Sequence, residues 1–188
     1  MPRAFSVGLC KVSLVEGDIT TEDVDAIANA ANAGLLGGGG VDGAIHRAAG
    51  PELVAACREV KKTLPGGLLR TGGAVITPGF RLRARSVIHC VGPVYEREGA
   101  RAPGLLASCH TEALRLCREH GLSSVAFPAI STGVYGYPLD EAARVSLTAV
   151  RDDLRAHGTP ALVRMVLFGA SALSAFERAA DDVFGGTP

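Results

Sequence analysis

The sequence has no excess of either charge, almost no lysine, no long apolar run and no paired cysteine spacing. Each absence closes off a class of protein. Its 19 Lys plus Arg residues balance its 19 Asp plus Glu, whereas a chain whose main task is to coat nucleic acid carries a basic excess. A local basic patch stays open. Only Lys11, Lys61 and Lys62 are lysines, which reads first as a codon-composition effect. No apolar run approaches the ~18 residues of a membrane span. Within residues 1–14, Lys11 interrupts the apolar stretch that a secretory signal needs, and no small-residue cleavage site follows, so no such signal is expected. The five cysteines, Cys10, Cys57, Cys90, Cys109 and Cys117, contain no CxxC pair. An odd, unpaired set suits free thiols in a reducing compartment, and a cytoplasmic location is expected.

What is present describes a globular domain. Of 188 residues, 47% are apolar and 20% charged, which is ordinary for a folded chain and excludes intrinsic disorder. The length favours one domain, expected over residues 1–188, and no repeat, low-complexity block or linker divides it. Runs at 12–15, 26–29, 74–77, 86–91, 124–130 and 162–168 read as strands bounded by Gly, Pro or Ser. Helical spacing links Leu105, Cys109, Ala113, Leu116 and Cys117, then Ala143, Leu147, Val150 and Leu154, then Leu173, Phe176, Ala180 and Val183. Pro51 after Gly50 opens a helix to about residue 60. Such alternation predicts a layered α/β/α domain, whose ligands sit beyond the carboxyl ends of the strands.

Two glycine loops fall where a strand gives way to a helix. The first, residues 36–46, holds four consecutive glycines ahead of a helix start near Asp42. Such a run is costly to order and makes sense where backbone must approach a ligand; amides and dipole at the helix start favour an anion. The bland alternative is a flexible turn. The second loop, residues 128–138, offers Ser131, Thr132, Gly133 and Gly136 as an anion nest. Neither carries GxxxxGK[ST], and neither reads as a Rossmann fingerprint. Two loops without lysine point to a diphosphate held by backbone.

Residues 17–20 (GDIT), 25–32 (DAIANAAN), 37–50 (GGGGVDGAIHRAAG), 87–93 (VIHCVGP) and 127–138 (FPAISTGVYGYP) together resemble the MacroD-type macrodomain signature, over residues 15–184. The resemblance implies a three-layer α/β/α fold around a mixed β-sheet and a cleft for ADP-ribose. It also implies hydrolysis of mono-ADP-ribose esters on Asp and Glu side chains of proteins, and deacetylation of O-acetyl-ADP-ribose, without metal or cofactor. The sequence departs from the family at Ala28 and at Leu69-Arg70-Thr71-Gly72, both expected to be packing positions. Residues 1–14, expected to pack on or pair with the sheet, and residues 97–103 are the least constrained parts.

By that resemblance Asp18 reads the adenine N6 amino group and the Ile19 amide meets the ring, although Asp18 could equally cap the next segment. Phe168, at the end of the last strand, stacks on adenine or else fills the core. Asn32 orients a ribose hydroxyl, while Asn29 pairs buried backbone near its strand end. Ala30, Gly38, Gly39, Gly40 and Val41 line the first side of the cleft. Ser131, Thr132, Gly133, Val134, Tyr135 and Gly136 wrap the other, with the Tyr135 ring against the distal ribose. Asp42 is the proposed catalytic group that positions or deprotonates water. It could instead, or also, cap a helix from Gly43, and a substrate phosphate is the rival activator. His46, one turn on, shares a face with Asp42 and could orient it, donate a hydrogen bond near the substrate, or serve only the structure.

Cys109 and Arg115 match CxxxxxR, but no glycine lies between them, so no phosphate cradle forms. Cys109, Cys117 and His120 on one helix cannot surround zinc. His89, His110 and His157 receive no role. The leading reading is a mono-ADP-ribosyl hydrolase acting on ADP-ribose and mono-ADP-ribosylated proteins. The rivals are a non-catalytic ADP-ribose reader, an ADP-ribose 1″-phosphate phosphatase, and an RNA binder that zero net charge disfavours. Nothing demands more than a monomer.

Overall fold

The central strands are buried along almost their whole length, and successive side chains enter two apolar cores on opposite faces of one sheet. A computed structural model describes residues 2–185; Met1 and residues 186–188, included in the single-domain expectation, lie outside the described residues. The strands are β1 (Arg3–Val7), β2 (Cys10–Glu16), β3 (Ala26–Ala31), β4 (Ala74–Pro78), β5 (Ser86–Val91), β6 (Ser124–Phe127) and β7 (Leu162–Leu167), in the order β1-β2-β7-β6-β3-β5-β4. The five inner strands run parallel, and β1 and β4 close the edges antiparallel.

The helices are α1 (Gly40–Ala49), α2 (Pro51–Lys61), α3 (Tyr95–Glu98), α4 (Ala102–Glu119), α5 (Leu139–His157) and α6 (Ala170–Phe184). Ala26, Ala28, Ile88, Cys90, Phe127 and Met165 pack on Leu106, Leu114, Leu147 and Phe176 of α4, α5 and α6. Ile27, Ala31, Val87 and Val91 pack on Ile45, Leu53 and Cys57 of α1 and α2. The result is the expected three-layer α/β/α fold with a mixed sheet. All five cysteines are buried free thiols. No helix among the described residues is long and apolar enough to cross a membrane.

Residues 3–7 pair with β2 through a tight turn at Gly8, where φ is +59°. Several local expectations need correction. The run at 124–130 stops as a strand at Phe127, because Pro128 has no amide hydrogen for a ladder. The last strand stops at Leu167, so Phe168 follows it. Residues 97–103 are ordered by α3, a 3-10 turn and the start of α4, with Pro103 tolerated in the first turn of that helix.

Asp25 ties three strands together at their amino ends. Its carboxylate accepts from the Ser123 amide and hydroxyl, the Ser124 amide and the Arg85 guanidinium, and its carbonyl accepts from the Ser86 amide. Partial burial opposes ionisation, but Arg85 and Ser123 outweigh it and hold the Asp25 carboxyl well below the usual carboxylate range. A depressed folded pKa means that this stabilisation is complete above about pH 4 and is lost as the pH falls further. Asp25→Ala is expected to cost about 2 kcal/mol, lowering Tm by about 4–8 °C at pH 7 and by less at pH 3. Thermal melts across that range check it.

Candidate active site

At the opposite ends of the same strands lies a cavity of about 790 Å³. One wall is the segment from β3 into α1. Asn32 shapes it: its Oδ1 accepts from the Gly34 amide and its Nδ2 donates to the Gly37 carbonyl, both at 3.1 Å. Helix α1 begins at Gly40 with Gly39 as its cap residue and no side-chain cap bond. Asp42 is therefore the third helical residue, and the alternative that it caps the helix is overturned.

The Asp42 side chain turns inward instead and is only 5% exposed. Its Oδ1 accepts from Asn29 Nδ2 at 2.8 Å and lies 3.4 Å from His46 Nε2. Its Oδ2 faces the glycine loop: a Cβ built on Gly38 would lie 3.1 Å from that oxygen and 3.4 Å from Asn32 Nδ2. Asn29, expected to pair backbone, pairs side chains. His46 keeps its contact with Asp42 but is not among the residues lining this cavity. It lines a second cavity of about 460 Å³ behind the glycine loop.

The loop and α1 touch closely. A Cβ on Gly43 would come within 2.6 Å of the Gly38 carbonyl oxygen, so only glycine fits. Gly38, Gly40 and Gly43 do satisfy G-x-G-x-x-G spacing between β3 and α1, although residues 32–37 intervene after the strand. Gly43 fills the close-packing position of such a loop.

The other wall is the loop after β6. Ser131 is buried at φ +68°, and its hydroxyl has no partner. The Thr132 hydroxyl donates to the Ala129 carbonyl at 2.8 Å. Thr132, Gly133, Val134 and Tyr135 line the cavity, and the Val134 side chain is fully exposed. Gly136 lies outside the lining and serves the turn, donating to the Gly133 carbonyl. The Tyr135 carbonyl accepts from the Tyr95 amide, and the Tyr95 ring rests on Tyr137.

The far end of the cavity holds Asp18, Ile19 and Phe168. Asp18 caps the 3-10 turn Ile19–Thr21, its Oδ1 accepting from the Thr20 amide and hydroxyl. The capping alternative therefore holds for one oxygen, while the residue also lines the cavity. Phe168 is 87% exposed, which overturns its core alternative. Ala30, Gly38, Gly39, Gly40 and Val41 complete the expected lining. The reading missed Gly17, Gly92, Arg47 and Ala172, which also line it. Gly17 and Gly92 each follow the last residue of a strand, so the carboxyl-end rule could have found them. Among the described residues no three His, Cys, Asp or Glu side chains gather as a metal site.

Residues 28–146 match the Macro domain family. The chain belongs to that family. A relative in Cronobacter sakazakii, named O-acetyl-ADP-ribose deacetylase, is 48% identical over 89% of this chain and 92% of its own length. The Oceanobacillus iheyensis macrodomain with ADP has a TM-score of 0.96 at 42% identity, covering 100% of this chain and 98% of that one. The Trypanosoma brucei macrodomain in complex with ADP-ribose has a TM-score of 0.81 at 41% identity, covering 90% and 68%. In this macrodomain, then, the cavity is bounded by both glycine-bearing loops, with a buried carboxylate at one end and a bare aromatic ring at the other.

Proposed function

We propose that this macrodomain is a mono-ADP-ribosyl hydrolase that releases ADP-ribose from Asp and Glu side chains of proteins and deacetylates O-acetyl-ADP-ribose. The observation that carries the reading is the Asp42 carboxylate, with Oδ1 held by Asn29 and Oδ2 turned to the loop beside Asn32. A pure reader needs no anchored carboxylate there. The relative named as a deacetylase, and the neighbours holding ADP and ADP-ribose, support the ligand class.

In this reading Phe168 stacks on adenine, while Asp18 Oδ2 accepts a hydrogen bond from the N6 amino group and the Ile19 amide meets the ring. The diphosphate lies between the amides opening α1 and those of residues 131–135, with the spare Ser131 hydroxyl as a further donor. Asn32 orients the distal ribose and Tyr135 covers it. Asp42 Oδ2 accepts a proton from water as its oxygen attacks the ester at that ribose. The ester C–O bond breaks, and the departing oxygen takes back the proton carried by Asp42 Oδ2, which returns Asp42 to its carboxylate form. The products are ADP-ribose and the free carboxylic acid, in a metal-independent reaction suited to a cytoplasmic protein.

The test incubates the protein with an Asp/Glu-mono-ADP-ribosylated substrate and with O-acetyl-ADP-ribose, and titrates ADP-ribose by calorimetry. Release of ADP-ribose or acetate is expected. Phe168→Ala is expected to weaken ADP-ribose binding by about 1–3 kcal/mol, roughly 5- to 150-fold. Tight binding without release would make the protein a reader. No heat at millimolar ADP-ribose would end both readings.

A further inference from the structure

Three polar side chains line up in the centre of the fold, and of these only Asn29 enters the reading above. Asn29 of β3 and His89 of β5 are direct cross-strand partners, and Thr77 of β4 stands beside them on the face toward α1 and α2. All three are buried. They form a chain that ends on Asp42: Thr77 Oγ1 lies 2.9 Å from His89 Nε2, His89 Nδ1 lies 3.2 Å from Asn29 Nδ2, and Asn29 Nδ2 lies 2.8 Å from Asp42 Oδ1.

The direction of each bond follows from what the groups can offer. A carboxylate only accepts, so the Asn29 amide must turn its nitrogen to Asp42. That same nitrogen faces His89 Nδ1, which must then accept as well. The imidazole proton therefore sits on Nε2 and is donated to the Thr77 hydroxyl. Burial, helped by the neighbouring His46, pushes the His89 imidazolium pKa down to about 3, so the ring is neutral and holds one donor and one acceptor. The arrangement leaves Asn29 Oδ1 buried without a partner. A buried amide oriented against the needs of its own carbonyl is being held by something else. The two acceptors on its nitrogen are what hold it.

We infer that His89 is a positioning residue, whose Nδ1 locks the Asn29 amide nitrogen onto Asp42 Oδ1 and so keeps Oδ2 turned toward the cavity. Thr77 fixes the tautomer that makes this possible. Cys57 Sγ, 3.7 Å from His89 Nε2, is no rival nucleophile, since burial and the Asp42 charge push its thiol up to about 11. The consequence for turnover rests on the hydrolase reading of Asp42; the hydrogen-bond chain itself does not.

Two measurements test it. Nitrogen-15 spectra of the imidazole in the folded wild-type protein are expected to show His89 with the proton on Nε2 and Nδ1 as acceptor. A proton on Nδ1 overturns the inference whatever the activity. Steady-state kinetics then compare Thr77→Val, Thr77→Ser and His89→Phe. Thr77→Val and His89→Phe are expected to lose about tenfold in kcat, the scale of one buried hydrogen bond. KM and ADP-ribose affinity stay unchanged, and Thr77→Ser restores the rate. A merely structural strip would lower Tm without that split. Folded Thr77→Val with wild-type kcat overturns the positioning role, and it is the deciding variant if His89→Phe fails to fold. Wild-type protein that binds but does not hydrolyse overturns the hydrolase reading alone, and the imidazole spectrum still decides the hydrogen-bond chain.

Discussion

Asp42→Ala is expected to lower kcat for ADP-ribose release by about 10²–10⁴-fold, the usual contribution of a placed general base. ADP-ribose affinity should be retained, because in the proposed pose backbone holds the diphosphate and the other end of the cavity holds adenine. Single-turnover release and calorimetry on the same preparation separate the two quantities. The size of the loss also decides between activators of water. Were a substrate phosphate the base, the alanine variant would keep most of its rate, since neither loop depends on the carboxylate. The geometry favours the carboxylate: Asp42 is tied at one oxygen and faces the loop with the other.

Gly43→Ala is the second large effect. The added methyl would stand 2.6 Å from the Gly38 carbonyl oxygen, a backbone atom with no rotamer to yield. Either the glycine loop lifts or α1 sinks. Overpacking of this kind costs about 1–3 kcal/mol, or roughly 2–4 °C of Tm for each kcal/mol in a chain of this size. The functional loss should be larger than the stability loss, because a shift near 1 Å at a reacting group can cost about 10²-fold. Nucleotide affinity should fall too, in contrast to Asp42→Ala, since the amides of the loop move with it. Melting curves, calorimetry and release rates together check the claim. Wild-type turnover in a folded Gly43→Ala protein would refute it.

The layers and most strands were legible because buried parallel strands write themselves as short apolar runs between glycines and prolines. The helices α4, α5 and α6 were legible through spacing, and their apolar faces do pack on one side of the sheet. Residues 3–7 carried no such run: Arg3, Ala4 and Ser6 are ordinary surface residues, and their strand exists because the edge of β2 offers a partner. The site was legible where backbone chemistry dominates, in the two glycine loops. It was less so where a role depends on three-dimensional neighbours. Asp42 and Asn29 are 13 residues apart, and Asn29 and His89 are 60 apart. No periodicity links them; the sheet brings them together. His89 looked like one histidine in an apolar run, the common setting of a satisfied interior ring, and only cross-strand register reveals what it faces. Nothing in the sequence separates Gly43 from the four-glycine run before it; its close approach exists only once α1 starts at Gly40 and sets residue 43 against the Gly38 carbonyl.

The stranded carbonyl of Asn29 is a thermodynamic handicap in the middle of the sheet. An orphaned interior acceptor forfeits about 1–3 kcal/mol, a sizeable slice of the roughly 5–15 kcal/mol that keeps a domain folded. Anyone seeking a hardier version for heat or storage would be tempted to swap this strip for leucine or valine. By the wiring inferred above, that swap would trade turnover for shelf life. Improvements are better sought on the outer helices or around the knot at Asp25, where robustness can rise without touching the chemistry.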